Sequence, residues 1–423
     1  MAKLSPAERS RLAPTKITSR KKSNSSRPQD LASSGVASLK VFFDRAFKAQ
    51  SIHFYRLLGV TLFLAAFGVV MVLSASSIDS LVANRNSFAV AGKQFFFAAA
   101  GLAALSFVSL MSTEFIKSKA KFLFMVAMAL QVAVLFIGKD INGNRNWIDV
   151  FGLFTIQPSE ILKIAVILHI SAYLAHQKDY LDDPKVWQKA LVIAGAAMAL
   201  VLFGRDLGTV IIMTIAFVGL LALAGMPNKL LRLVGLGLAV AIPIALMSSS
   251  SRIGRITAWL SPNGPDPLNY NWQAEHGMWA LAAGRIFGSG LGESKMKWSW
   301  IPEVENDFIF AIIGEELGLV GALVVIALFV FLTFSLLRIM QRTNDPFKRN
   351  VVAAIMLWIV FQALVNIAVV LRLLPVLGVP LPLISAGGSS LVSALGAIGV
   401  VLAIERENHA SPISTRRRIG NRR

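Results

Sequence analysis

The sequence predicts an all-α fold: a polytopic integral membrane protein with ten transmembrane helices, both termini cytoplasmic, and one large extracytoplasmic loop between helices seven and eight. Three observations predict it. First, the 423 residues are 55% hydrophobic and 15% charged, with mean hydropathy +0.64, whereas soluble domains carry about 25% charged residues. Second, apolar runs long enough to cross a bilayer recur along the chain. Third, the basic residues cluster in alternate connections between those runs.

The spans fall at roughly 55–76, 88–110, 120–138, 158–175, 188–204, 206–225, 229–247, 308–337, 350–371 and 388–405. An even number puts both termini on one side. The first 50 residues hold 11 Lys and Arg, and the chain ends TRRRIGNRR. Connections on the same side carry Lys117, Lys119 and Lys121; Lys178, Lys185 and Lys189; Lys229 and Arg232; and Arg338, Arg342, Lys348 and Arg349. With Arg56 and Arg406, this face holds about 30 of the 42 Lys and Arg, which makes it cytoplasmic by the positive-inside rule. The net charge of +19 then reads as orientation and contact with the anionic lipid bilayer, with no nucleic acid as partner.

Residues 1–51 form a basic cytoplasmic tail, expected to be disordered through about residue 35. Near 37–50, Leu39, Phe42, Phe43, Ala46 and Phe47 make one helical stripe. That suits a helix lying in the membrane interface, or one resting on the first span. Residues 52–405 are the transmembrane domain and 406–423 a second basic tail. No early apolar core marks a cleavable signal peptide. The absence of cysteine excludes disulfides and thiolate metal sites. No internal repeat supports an inverted-repeat transporter.

The connection 248–307 is long and rich in Trp, Arg, Gly and Pro; such loops are usually functional. Its segment Asn271–Phe287 has helical character. It ends in WIPEVENDFIFAIIGEELG, where Asp307 stands at the start of the eighth span and Glu315 and Glu316 lie inside it. Ionisable groups at this depth are expensive and read as functional, with a partner to be found. The structural alternative is that Asp307 caps the helix.

Gln157-Pro158-Ser159-Glu160 opens span four, with Lys163 one turn further in. Proline and glutamate suit a helix start; a lysine there needs a carboxylate. Glu160 at i,i+3 is one candidate and Asp307 the other, with Asp307 preferred on depth. Gly204-Arg205-Asp206-Leu207-Gly208-Thr209 joins spans five and six either as a capped turn or with Arg205 facing an outer cavity. His169 reads as a packed, neutral histidine. Arg145, Arg205 and Arg255 are the favoured anion-binding cations, ahead of Arg252, Arg285, Lys295, Lys297 and Arg372. Between Asn366 and Ser390, Pro375, Gly378, Pro380, Pro382, Gly387 and Gly388 preclude a regular helix. Irregular backbone at membrane depth must line a cavity or be buried in protein. Its amides and Ser385, Ser389 and Ser390 could bind a ligand or satisfy one another.

These blocks together resemble the SEDS family (shape, elongation, division and sporulation; the FtsW/RodA/SpoVE proteins). The matching pieces are QPSE with Lys163, DLGT of span six, GLGES followed by WIPEVENDFIFAIIGEELG, and the block 366–390, in the family's order over about residues 55–405. GLG before SKMKWSWIPE and the long basic tails resemble the division branch more than the elongation branch. The resemblance implies a peptidoglycan glycosyltransferase acting on lipid II at the division septum. It also implies work beside a class B penicillin-binding protein (a transpeptidase) and other divisome proteins. Asp307 would be the base with Lys163 orienting it; Arg145, Arg205 and Arg255 would hold diphosphates, and Lys295, Glu160, Ser385 and Ser389 would complete the substrate-binding site. A divalent cation (Mg or Mn) at Asp307 could assist the leaving group, and the sequence neither requires nor excludes one. A lipid II flippase and a non-catalytic divisome scaffold are the rival readings. Three departures from the family pattern stand out: Glu305-Asn306 where His-Thr is common, Arg205 in place of proline, and Ala386 where tyrosine is common.

Overall fold

The computed structural model describes residues 50–141, 144–152, 154–261, 264, 266, 268–298 and 300–420. The tail through residue 49, with the expected interfacial helix, lies outside them. Among the described residues twelve α-helices are formed: α1 Ile52–Asn84, α2 Ala89–Leu110, α3 Thr113–Ile137, α4 Pro158–His176, α5 Pro184–Phe203, α6 Leu207–Leu223, α7 Asn228–Met247, α8 Ser250–Leu260, α9 Trp272–Ala283, α10 Ile309–Arg342, α11 Pro346–Val370 and α12 Gly388–Gly420. Among the described residues nine are long and apolar enough to cross a membrane. α6 stands where the sixth span was expected and has 17 residues.

Local chemistry sets the helix starts. Ser51, Ser112, Asp183, Asp206 and Asp345 each accept a hydrogen bond from a first-turn amide of the helix that follows, and prolines open α4, α5 and α11. The connection after α3 folds into an antiparallel sheet of β1 Lys139–Ile141, β2 Asn144–Val150 and β3 Phe154–Ile156, in the order β1-β2-β3. Val150 pairs with Phe154 and Lys139 with Trp147. Strands of this length carry too little alternation to be read from sequence.

Burial sorts the helices. The apolar windows of α4, α11 and α12 are 67%, 72% and 72% buried, whereas that of α7 is wholly unburied. α4, α11 and α12 therefore form the centre, and α7 is an outlier attached through α6 and α8. α12 packs along α2, α4 along α3, α6 along α11, and α10 lies between α1 and α11. One end of the bundle gathers the sheet, the α5–α6 turn, the 248–308 connection and the segment after α11. At the other end α12 ties its neighbours together. Glu405 accepts from Ser51 Oγ at 2.5 Å, Glu407 from Lys348 Nζ at 2.8 Å, and Arg406 donates to the carbonyls of Leu110 and Met111.

α10 is broken at Gly318, whose φ is 69°. The break frees backbone groups, and the preceding connection pairs with them. Ser289 N and Gly290 N donate to the carbonyls of Glu315 and Glu316 at 2.9 and 3.0 Å. Leu319 N and Val320 N donate to Arg285 and Ile286 at 2.9 and 3.1 Å. The two acidic side chains are satisfied here too. Glu315 accepts from Ser294 Oγ and from Lys295 N; Glu316 accepts from Ser74 Oγ at 2.6 Å and lies 3.7 Å from Lys297 Nζ. The backbones approach so closely that a Cβ on Gly318 would lie 2.4 Å from Gly288 N, and one on Gly288, at φ 83°, would lie 2.1 Å from Glu316 O. Gly288→Ala and Gly318→Ala should each lower stability by about 1–3 kcal/mol or more. Gly235→Ala, with nothing within 4 Å, serves as the control. Thermal unfolding of the purified variants checks this, and melting temperatures equal to the control would refute the clamp.

Candidate active site

A cavity of about 850 Å³ opens at the end of the bundle that holds the long connection. α2, the sheet, α4, α9, the 302–307 turn and the irregular segment after α11 all border it. Asp307 lies on its wall, half-buried, two residues before α10 begins. The residue at the cap position is Phe308, and no side chain caps that helix, so Asp307 does not play the capping role.

The irregular segment approaches Asp307 because the helices around it satisfy its backbone. α11 presents Trp358, Gln362 and Asn366 at helical spacing. Gln362 Nε2 donates to Pro380 O at 3.0 Å. Asn366 Nδ2 donates to Val379 O and to Asp307 O, both at 2.8 Å. From the other side Gln94 Nε2 donates to Ser385 O at 3.1 Å, and Ala386 N donates to Glu305 O at 2.8 Å. Gly378, at φ 67°, is where the segment passes the carboxylate: a Cβ there would lie 3.8 Å from Asp307 Oδ2.

Asp307 forms no ion pair among the described residues. Burial raises its pKa to about 7, opposed by a hydrogen bond with its own amide. The charges of Glu303 and Glu305 push it further up, and Arg255 pulls it down. Burial also raises Glu305. A carboxylate in this state can take up a proton near neutral pH.

Lys163 does not pair with Asp307, which corrects the preferred assignment. Its Nζ lies 2.8 Å from Glu160 Oε1, with both side chains at most 4% exposed. It also donates to Gln362 Oε1 at 3.3 Å and sits 4.6 Å from the centre of the Trp358 ring. The alternative at i,i+3 therefore holds, because one helical turn brings the groups together with no demand on another element. Glu160 borders the large cavity, and Lys163 lies one turn deeper, beside a void of about 20 Å³. Lys163 still reaches the Asp307 region indirectly, since its partner Gln362 also holds Pro380.

The other expected site residues divide. Ser389 borders the cavity, and its hydroxyl accepts from Gln157 N at 3.1 Å. Arg255 borders this cavity and a second one of about 540 Å³, which Arg205 also lines. Three do not line either cavity. Arg145 turns back to the end of α3 and donates to Gly138 O at 3.2 Å, a helix-terminus role. Lys295 is exposed, and its amide serves Glu315. Ser385 is buried and accepts from Leu381 N at 2.8 Å within the irregular segment. Sequence reasoning overlooked Gln94, Gln362 and Asn366; amides inside apolar runs were the available signal. His169 stacks on Phe124 as a packed histidine.

Among the described residues no three His, Asp or Glu side chains are grouped to hold a metal ion. Glu303, Glu305 and Asp307 border the cavity without making such a group, so the residues present do not fit a cation site built by the protein alone.

Known proteins resemble this chain along most of its length. The family model described as "Cell cycle protein", for FtsW, RodA and SpoVE, matches residues 55–410. A probable peptidoglycan glycosyltransferase FtsW of Mycobacterium tuberculosis is 37% identical over 377 residues, 88% of this chain and 72% of the relative. Stage V sporulation protein E of Bacillus subtilis is 36% identical over 351 residues, 82% of this chain and 95% of the relative. A solved chain from a peptidoglycan synthase complex superposes with TM-score 0.69 at 24% identity, covering 86% of this chain and 99% of that one. RodA of Thermus thermophilus does so with TM-score 0.63 at 24% identity, over 86% and 99%. The solved chains share the fold, and the family match spans the helices and the irregular segment that build the cavity. The chain therefore belongs to the FtsW/RodA/SpoVE family of cell cycle proteins.

Proposed function

We infer that the protein is a peptidoglycan glycosyltransferase that polymerises lipid II into glycan strands with release of undecaprenyl diphosphate. The observation that carries this reading is Asp307, a carboxylate with raised proton affinity on the wall of a cavity large enough for sugars. The reaction needs a base within reach of a sugar hydroxyl and positive charge at the departing diphosphate. Asp307 is the base. Arg255, facing the same cavity, supplies positive charge.

Glu160 and Lys163 act as positioning residues. Their buried pair holds Gln362, and Gln362 and Asn366 hold the segment that passes Asp307. The cavity end of the bundle is the extracytoplasmic face, because the basic connections lie at the opposite end. The protein acts in septal wall synthesis beside a class B penicillin-binding protein and other divisome proteins, in the cell membrane at the septum; what supports this reading is the family description, cell cycle protein, and a relative named as a probable peptidoglycan glycosyltransferase.

Purified protein with its transpeptidase partner should polymerise lipid II, and Asp307→Asn should lose about 100-fold or more of that rate with an unchanged melting temperature. Equal rates would remove Asp307 as base, and lipid scrambling in liposomes without polymer would mark a flippase.

The rate should also depend on pH. A base works deprotonated, so kcat/KM should fall as pH drops through about 7, the raised value of Asp307 in the free protein. An acid limb at pH 4 to 5, the ordinary carboxylate range, would overturn the assignment.

Lys163→Met leaves Glu160 buried and uncompensated and should cost about 3–5 kcal/mol. Adding Glu160→Gln should recover part of the loss, as read from thermal unfolding. Full additivity of the two substitutions would mean that the pair has no coupling.

A further inference from the structure

α9 and the stretch leading to Asp307 together carry an aromatic surface. Trp272, at the start of α9, borders the same cavity as Asp307. His276, one turn later and 2% exposed, lies beneath it. The two rings stack with centres 3.9 Å apart, and His276 Nδ1 donates to Trp272 O at 2.8 Å. Trp300 is 6.1 Å from Trp272 and 5.7 Å from His276, with planes inclined by 17° and 13°. A ring almost equally far from both members of a stack stands beside that stack. The two indoles therefore lie side by side and nearly parallel, with the imidazole backing Trp272. They are 39% and 50% exposed, so each keeps an open face.

This shelf is fixed in place. Trp272 Nε1 donates to Trp300 O and Gln273 Nε2 to Pro302 O, both at 2.7 Å. α9 in turn packs on α10. The approach is so close that a Cβ on Gly277 would lie 2.9 Å from the ring of Phe308, the residue after Asp307. The shelf and the carboxylate are thus held by the same few contacts.

The surroundings decide what the shelf takes. A tryptophan anchoring a bilayer interface turns its N–H toward water and headgroups; that of Trp272 is spent inside the connection. A protein contact of this kind has an apolar, charge-depleted centre. Here Asn269, Gln273, Glu303 and Asn306 border the cavity beside Trp272. A flat ring edged by carboxamides and a carboxylate suits a sugar. The apolar C–H face of a pyranose lies on the negative face of the indole, and its hydroxyls reach polar groups at the edge.

We propose that the Trp272–Trp300 shelf binds the glycan strand, holding sugars already joined while the reacting end stays at Asp307. The identity of the strand rests on the glycosyltransferase reading; recognition of an oligosaccharide at the shelf does not.

The test has two readouts: binding of a lipid-free hexasaccharide from uncross-linked peptidoglycan to the full chain in phosphatidylcholine nanodiscs, and the length of strands made from lipid II with the transpeptidase partner present. Trp300→Ala should weaken binding about threefold to tenfold and shorten the strands. Trp300→Tyr, which keeps a flat ring, should recover most of both, an outcome that a merely structural role would not give. Trp298→Ala removes another exposed indole of the same connection and should bind as wild type. Equal hexasaccharide affinity in wild type and Trp300→Ala would overturn the shelf. Loss of the co-purifying transpeptidase, or of nanodisc insertion, at unchanged affinity would assign the surface to a protein partner or to the bilayer and overturn it equally. Ring-dependent binding by a wild-type protein that forms no polymer would sink the glycosyltransferase reading and leave an oligosaccharide site standing.

Discussion

The site depends on one constraint: backbone that leaves helical form inside a membrane protein must find its hydrogen bonds in neighbouring protein. Between α11 and α12 the chain runs through three prolines and cannot bond to itself as a helix. α11 answers with Gln362 and Asn366, α2 with Gln94, and the turn before α10 with the carbonyl of Glu305. Each of these groups therefore has a fixed place. Asp307 is located by the same arrangement, since Asn366 grips its carbonyl while holding Val379. Buried polar groups paired in this way orient one another.

That scaffold separates two electrostatic roles that a transfer reaction needs close together. Burial and acidic neighbours keep the Asp307 carboxyl ready to accept a proton. The arginines gather one cavity away, and Arg255 alone faces both. Had Lys163 paired with Asp307, its charge would have favoured the ionised carboxylate and weakened its capacity as a base. By pairing with Glu160 the lysine stays out of the cavity and acts through Gln362.

Much of this was legible in the sequence, for identifiable reasons. Spans announce themselves through length and hydropathy, and the irregularity of 366–390 through proline and glycine. Asp307 stood out as a charge at a helix start. The partner of Lys163 was misjudged because depth along the chain was weighed above the certainty of one helical turn. Arg145 looked like an anion ligand, yet a side chain beside a helix C-terminus finds carbonyls at no distance. The strands after α3 were too short to show a period. The carboxamides of Gln94 and Gln362 passed unnoticed because uncharged polar groups barely disturb a hydropathy profile.

The break at Gly318 changes what kind of object the long connection is. Its residues 285–290 are hydrogen-bonded to α10 beyond the start of that helix, so the chain between α7 and α10 is closed at an inner point as well as at its ends. Two shorter loops replace one long one, and each loses less freedom on ordering than a single open loop would. Tolerance to added residues should follow the same division. Extra length in the stretch after the clamp lengthens a loop, whereas extra length within 285–290 shifts the register of every bond the clamp makes. An apparently pliable long connection is thus partly a fixed extension of the bundle, with its pliancy confined between the anchors.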